Sequence, residues 1–424
     1  MLINLPLLLT NYTAALREVV LPYIRDNFPK DKILVDQMKR NAGVTFINDE
    51  FIAPIRSSRH GGITSLADDG NNIISSSGAT TTRGTVSTKI LTGAFDISKL
   101  AMEATESSKG AVEAALTFQA KSLSNDFGRT VNRQLYSDGI GVIGQARQTG
   151  GSVGAGTIAV ELTGNGTGTD DGRVQDWYGT INGDISPTKY FAPDMIVGIG
   201  TGGADLGTVT SVTGTSLVMT GSPAIVVSDA VYIMDGSGEG AGTSEFTGIK
   251  AALSSSTGTS TYAGIARNTT GWTPSFGSAN EALTLSRMED SYLSAREYGQ
   301  AGDTYVILVN KTLFKKYGDI LTAMRRTVDK ADLLGGFKGL EFAAGDGNVG
   351  VFLDYDVPDG VVLVLNLDTW TLCQVGDLSW DDDPSSGGML RLQNTITYQA
   401  VMHWFANVIC LEPGANGHET RKTD

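Results

Sequence analysis

The chain has 424 residues, 53 of them glycine, with 41% hydrophobic residues, only 18% charged residues and a formal net charge of −14. That length buries a full core and allows two or three structural units, and abundant glycine with few charges fits a β-rich chain with tight turns and extended loops. The acidic balance, with no stripe of Lys or Arg, disfavours an electrostatic grip on nucleic acid, and no apolar run approaches the length that spans a bilayer.

The apolar stretch Leu5 to Leu9 is interrupted by Pro6 and lacks a basic leader and a small-residue cleavage site, so no signal peptide is expected. Residues 11–27 read as a short amphipathic helix with Leu16, Val19, Val20 and Tyr23 on one side, kinked or ended at Pro22. Phe51 to Ile55 reads as a strand, with Pro54 as an edge signal. From Ser57 to Thr92 the chain is small and polar, too poor in apolar residues to fold alone, although Thr85 to Leu91 alternates like a strand. We read it as a long two-stranded loop projecting from the body, a size of loop that is usually functional.

Glu106 to Tyr136 then reads as one uninterrupted helix. Val112, Leu116, Leu123, Phe127, Val131 and Leu135 keep one face apolar at helical period. Ser107 and Ser108 are the candidate N-caps, and Asp138-Gly139 closes the helix with a residue that tolerates left-handed geometry. At ~1.5 Å per residue the rod is on the order of 45 Å long, two to three times the mean globular helix. Such a rod between extended, Gly/Ser/Thr-rich arms suits a flat subunit that tiles with copies of itself better than a pocket enzyme.

Strand patterning restarts at Thr157 to Leu162. Between about Asp170 and Gly240, the segments Met195 to Ile199, Leu206 to Val212, Ser216 to Thr220 and Ala230 to Met234 predict a small β barrel or sandwich inserted in the main body. Ala279 to Tyr298 reads as a helix with Leu285, Met288, Tyr292 and Ala295 inward, Thr304 to Val309 as a buried strand, and Thr312 to Arg325 as a helix. Val349 to Asp356 and Val361 to Leu367 read as a hairpin around Asp359-Gly360. A long strand runs from Thr395 to Leu411 and is broken by Pro413-Gly414, and the polar tail beyond is expected to fray.

No catalytic constellation emerges. The stretch Gly200 to Gly207 lacks the Gly-Lys-Ser/Thr ending of a phosphate loop and precedes a strand, so it reads as a β-turn. Asp354, Asp356 and Asp359 before Gly360 look like a calcium loop at a glance. Their spacing is one residue off, no Glu closes the loop, and the flanks are strands, so a metal there is the minority reading. Asp381, Asp382 and Asp383 read as a solvated turn before Pro384, with weak cation binding between subunits as the alternative. His60, His403 and His418 are too few and too scattered to argue for a metal site. No Gly-x-Ser-x-Gly elbow supports a Ser-His-Asp triad. Trp272, Trp370, Trp380 and Trp404 read as core or interface anchors, and the sequons at Asn165 and Asn268 carry no meaning without secretion. Cys373 and Cys410 read as buried free thiols in preference to a disulfide. No catalytic, cofactor-binding or metal residue is assigned.

The order of segments, with YSDGIGV at Tyr136 to Val142, YAGIARNTTGW at Tyr262 to Trp272, DKADLLGGFKGLEF at Asp329 to Phe342, DYDVPDG at Asp354 to Gly360 and FANVICLEPGANG near the end, resembles the major capsid protein of tailed bacteriophages, the Hong Kong 97-like fold. The resemblance spans nearly the whole chain and implies an α+β architecture. It implies an N-terminal arm at 1–50, an extended loop at 51–100 and a peripheral domain at 101–169 built on the spine helix 106–136. An inserted β-barrel-like domain follows at 170–240, then an axial domain at 247–334, returning strands of both domains at 335–412 and a polar tail at 413–424. It further implies self-assembly through pentamers and hexamers into an icosahedral shell enclosing double-stranded DNA without sequence-specific binding. Portal and decoration proteins follow as partners, and assembly is placed in the bacterial cytoplasm, with no enzymatic activity, cofactor or membrane.

Two departures from that pattern bear on assembly. Only about fifty residues precede the loop and they look structural, so a separate scaffolding protein is expected in place of a cleaved scaffold domain. Some members weld subunits through a lysine–asparagine bond; here Lys89 is the only lysine between Ser57 and Thr92, lies near the loop base and lacks a matched Asn and Glu, so no crosslink is expected. The runner-up readings are a tail-tube or decoration protein, which the long helix does not fit, and a β-rich carbohydrate-binding module, which would need secretion. A hydrolase comes third.

Overall fold

The computed structural model describes residues 32–57, 60, 63, 78–98, 109–146, 156–161, 190–200, 205–213, 216–220, 230–233, 244–254, 261–267, 271–277, 279, 281–300, 302–323, 330–332, 338–358, 360–380, 390–391, 397–420 and 422–423. The expected helix at 11–27, the caps Ser107 and Ser108, Asp359, Asp381 to Asp383, Asn165 and Asn268 lie outside them.

The first described elements are α1 (Ile33–Gln37), β1 (Lys39–Arg40), β2 (Thr45–Ile47), β3 (Glu50–Arg56), β4 (Thr81–Ser87) and β5 (Lys89–Ser98). Strands β2, β3 and β4 form a three-stranded antiparallel sheet. This sheet is the base of the two-stranded loop expected from sequence. Strand β2 reaches only Glu50 to Ile52, so at Pro54 that side of β3 is an edge, where a residue without an N–H is tolerated. The turn between β2 and β3 holds Asn48 and Asp49 at φ +50° and +62°, the left-handed pair a tight two-residue hairpin requires.

The long helix, α2 (Lys109–Leu135, 27 residues), forms as the apolar spacing predicts, with Phe127, Val131 and Leu135 buried. It ends into Gly139 at φ +86°. It lies on a sheet whose main member is β24, described below: Phe127 packs on Trp404 with ring centroids 6.4 Å apart.

A closed six-stranded barrel follows: β6 (Val142–Ala146), β7 (Gly156–Glu161), β8 (Ile196–Ile199), β9 (Asp205–Thr213), β10 (Ser216–Thr220) and β11 (Ala230–Ile233), in the order β10-β7-β6-β11-β8-β9. Four of these strands are the ones expected between 170 and 240. The barrel opens at Val142, ahead of that boundary, because four strands alone would leave two open edges and β6 and β7 close them. Ile143, Val197, Ile199, Val209, Leu217, Met219 and Val231 fill its interior.

The remaining chain runs α3 (Ile249–Leu253), β12 (Thr261–Tyr262), β13 (Ile265–Ala266), β14 (Ser275–Gly277), β15 (Glu281–Ala282), α4 (Leu285–Arg296), β16 (Tyr305–Val309), α5 (Lys311–Ala323), β17 (Lys330–Asp332), β18 (Lys338–Ala344), β19 (Gly347–Leu353), β20 (Val362–Asn366), β21 (Trp370–Gln374), β22 (Ser379–Trp380), β23 (Leu390–Arg391), β24 (Thr397–Cys410), β25 (Gly417–Glu419) and β26 (Lys422–Thr423). Helix α4 starts six residues later than expected, because Thr284 caps it by accepting from the Arg287 N–H and Glu281–Ala282 is held in a strand. Asn310 caps α5 in the same way through the Leu313 N–H at 3.0 Å.

A seven-stranded mixed sheet has the order β14-β25-β20-β16-β19-β18-β17. Strands β19 and β20 are therefore not the hairpin expected from sequence. The fully apolar β16 lies between them, parallel to β19 and antiparallel to β20, since a strand buried on both faces also needs a partner at each edge. Its side chains alternate: Val306 and Leu308 enter the core under α2, while Ile307 and Val309 enter a second core with Met288, Tyr292, Leu313 and Tyr317 of α4 and α5.

The tail does not fray. Strand β25 sits inside the sheet between β14 and β20, and β26 pairs with β15. Residues 413–420 are buried, and Lys422 donates to the Ala279 carbonyl and the Glu281 carboxylate, 3.0 Å each. Polarity misleads here because these side chains are satisfied internally, by the chain that the strand pairing brings round them.

Candidate functional site

The flagged residues do not converge. His60 lies in the segment between β3 and β4, His403 on β24 facing Ser379 Oγ at 3.2 Å, and His418 inside the seven-stranded sheet against Phe276. Of the stretch Gly200 to Gly207, the described part turns at Gly200 (φ +86°) and enters β9, a strand and not a helix. Among the described residues no group of His, Cys, Asp and Glu has the makings of a metal site. Cys373 and Cys410 are free and buried, and burial pushes both thiols up to about 12. Trp272, Trp370 and Trp404 are core anchors.

What the acidic turn at Asp354 does instead is join elements. Asp354 accepts from Tyr136 Oη at 2.9 Å and from Asn132 Nδ2 at 3.2 Å, both on or just after α2. Asp356 accepts from the same Nδ2 at 2.6 Å and from Tyr190 Oη, on the approach to the barrel, at 3.0 Å. Lys32 Nζ stands 3.9 Å from Asp356. Burial raises the Asp354 carboxyl above the usual carboxylate range, and the Tyr136 hydroxyl is raised by burial and then by Asp354. The sequence marks these residues, with a cation there as its minority reading; Asn132, Tyr136 and Tyr190 donors take up their lone pairs, and Lys32 stands close by.

A second knot ties the barrel to the helix. Arg133 donates to both oxygens of Glu245, one bond of 3.0 Å from Nη1 to Oε2 and a shorter one from Nη2 to Oε1, with both side chains about nine-tenths buried. Lys250 and Asp138 pair beside them at 2.7 Å. A Cβ on Gly248 would overlap the carbonyl oxygens of Leu135, Gln134 and Ser137, so the chain leaving the barrel passes against the end of α2. Gly248→Ala is expected to cost about 1–3 kcal/mol of stability, because three backbone atoms cannot yield as a side chain could; urea unfolding of the purified variant measures it. No sequence pattern singled out Arg133, Glu245 or Asn407, because their roles depend on partners more than a hundred residues away. Asn407 is the clamp at the loop base, with Nδ2 on the Ser87 carbonyl at 2.6 Å and Oδ1 on the Thr247 N–H at 2.8 Å.

His418 gives the molecule a pH dependence. Burial, and then Arg267, depress its pKa from 6.5 to about 3, so the folded state holds it neutral while the unfolded chain protonates it. Its contribution is whole above pH 6.5 and declines as pH falls from there toward 3. Asp354, raised, acts in the opposite sense. Thermal midpoints between pH 7 and 4.5 should fall for the parent chain and fall less for His418→Gln.

The described residues therefore form a long helix on a sheet, a three-stranded antiparallel sheet, a side barrel and a second α/β layer. Over 92% of this chain and 93% of the other, this architecture superposes with a TM-score of 0.51 and 12% identity on a chain of the Cyanophage A-1(L) capsid asymmetric unit. The chain has the fold of a phage capsid subunit. Similarity also extends to the capsid of the native GTA particle (TM-score 0.44, 10% identity, covering 92% of this chain and 90% of that one). Mycobacterium phage Patience gives a TM-score of 0.42 at 9% identity, covering 98% and 89%. The fold assignment rests on the first. No family model matches the sequence, and neither does any curated protein.

Proposed function

We propose that this chain is the major capsid protein of a tailed bacteriophage, self-assembling through pentamers and hexamers into an icosahedral head shell around double-stranded DNA. The observation that carries this reading is the fold likeness to a capsid chain over 92% of this chain and 93% of that one. Residues 1–50 serve as the arm, the hairpin within 51–100 as the extended loop, α2 as the spine of a peripheral domain and 247–334 as the axial domain. The barrel is the inserted unit, and residues 335–412 return strands to both domains. The role is structural and not enzymatic. Copies of the chain are the principal partner, with a separate scaffolding protein, a portal protein and a decoration protein completing the particle in the host cytoplasm. A net charge of −14 suits a wall that encloses DNA without gripping it. Many weak contacts repeated by symmetry close such a shell without one strong pairwise bond.

Size exclusion followed by negative-stain microscopy tests the reading. The overexpressed chain, alone or with its scaffold, is expected as closed particles or as rings of five and six. A monodisperse monomer under both conditions would contradict it.

A further inference from the structure

The turn between β18 and β19 is chemically open. Ala344 pairs with Gly347, so Gly345 and Asp346 alone make a two-residue loop. The Asp346 side chain is 53% exposed, and a glycine stands on each side of it. Nothing lies within 4 Å of the place a Cβ would take on Gly347. An aspartate before an unshielded glycine is a backbone step that can close on itself. The Gly347 nitrogen attacks Asp346 Cγ and gives up its proton, and one carboxyl oxygen leaves as water. Water then reopens the resulting succinimide at either carbonyl. Opening at the Asp346 backbone carbonyl leaves the chain running through Cγ, an isoaspartyl link of unchanged mass with one more backbone carbon.

One side chain stands in the way of that step. Arg296, the last residue of α4, donates from Nε to Asp346 Oδ2 at 2.8 Å. It is itself fixed, since Nη1 donates to the Gln300 carbonyl and the guanidinium lies 5.7 Å from the centroid of the Tyr305 ring. An exposed ion pair adds little to folding stability, but a guanidinium anchored this way decides where the carboxylate points. While Nε holds it, the carboxylate stays charged, a poor target for attack at Cγ and a poor source of leaving water. The other Asp–Gly step among the described residues, Asp138–Gly139, is braced instead by its surroundings. Asp138 is 17% exposed, pairs with Lys250 at 2.7 Å and accepts from the Ile140 N–H at 3.1 Å. A Cβ on Gly139 would stand 3.3 and 3.4 Å from the Phe246 and Glu245 carbonyl oxygens, so that step has little room to close. We infer that Asp346–Gly347 is a site of spontaneous isoaspartate formation and that Arg296 restrains it. The inference does not depend on the shell reading. The added backbone carbon does not fit a two-residue loop, so conversion loosens the β18–β19 pairing beside Phe342 and Val349 of the second core.

Ageing the purified parent chain, Arg296→Gln and Arg296→Lys for weeks at neutral pH tests this, with circular dichroism confirming the fold. Isoaspartate at 346 and at 138 is read peptide by peptide by electron-transfer mass spectrometry. Accumulation at 346 is expected to be about fivefold faster in Arg296→Gln than in the parent, the factor that an exposed charge-assisted contact can supply. Arg296→Lys should fall between the two, and position 138 should not change. Molar salt, which screens an exposed pair, should speed the same position in the parent chain and so tests the restraint without any variant. Equal rates at 346 in the parent and every folded variant, with and without salt, would overturn the role of Arg296. No isoaspartate at 346 in any sample would overturn the site itself.

Discussion

Glu245→Gln should destabilise the folded chain by about 3–5 kcal/mol, because it removes the carboxylate charge that the buried Arg133 guanidinium faces bidentately. The pair is bidentate and nearly closed to water, so neither partner can recover hydration when the other is removed. Arg133→Leu should cost a similar amount by stranding the carboxylate. The double replacement Arg133→Leu/Glu245→Leu should recover most of the loss, since it removes both desolvation penalties together. Chemical denaturation of the three variants checks the pattern, and additive single losses would show that the pair is not coupled. The expected losses are large because the pair lies at the junction of barrel and helix, where Ser137 also reaches Glu245 at 3.4 Å and Lys250 pairs with Asp138.

Ending the chain at Ala415 is the second severe change. A fraying polar tail would be dispensable, yet here β25 is an inner strand: its removal strips β20 of its partner at Gly417 to Glu419 and detaches β14 from the sheet. Asn416 goes as well. Its Oδ1 accepts from the Asn366 N–H and from Trp370 Nε1, 2.9 Å each, and its Nδ2 donates to Thr369 Oγ1 at 3.0 Å and the Glu412 carbonyl at 2.9 Å. Each buried group left without a partner costs roughly 1–3 kcal/mol. The total then exceeds the about 4–5 kcal/mol that marks the severe end of single changes, and insoluble protein is expected. Recovery of a soluble truncated chain with the parent circular dichroism spectrum would show that β25 is not integral to the sheet.

Local signals are legible where periodicity is strong and partners are near. The 27-residue helix, the 14-residue strand at Thr397–Cys410 and four barrel strands follow from the spacing of apolar residues alone. Pairing at a distance was not readable. Asp359-Gly360 has the composition of a hairpin turn, but the choice to pass β16 between β19 and β20 belongs to the whole sheet, and no local residue records it. Strands β6 and β7 are drawn into the barrel by edges that other strands leave open. The tail failed for a related reason: Lys422 and His418 look solvated until Glu281 and Phe276, over a hundred residues earlier, are seen to enclose them. The sequence marks the acidic turn at Asp354 and disfavours a cation there, but composition alone does not name Asn132, Tyr136 and Tyr190 as its partners.

The most direct test of the shell reading is cryo-electron microscopy of the assembled, purified chain. Closed particles whose density holds this fold in rings of five and six are the expected result. Particles absent under all conditions, or open tubes without fivefold vertices, would contradict it.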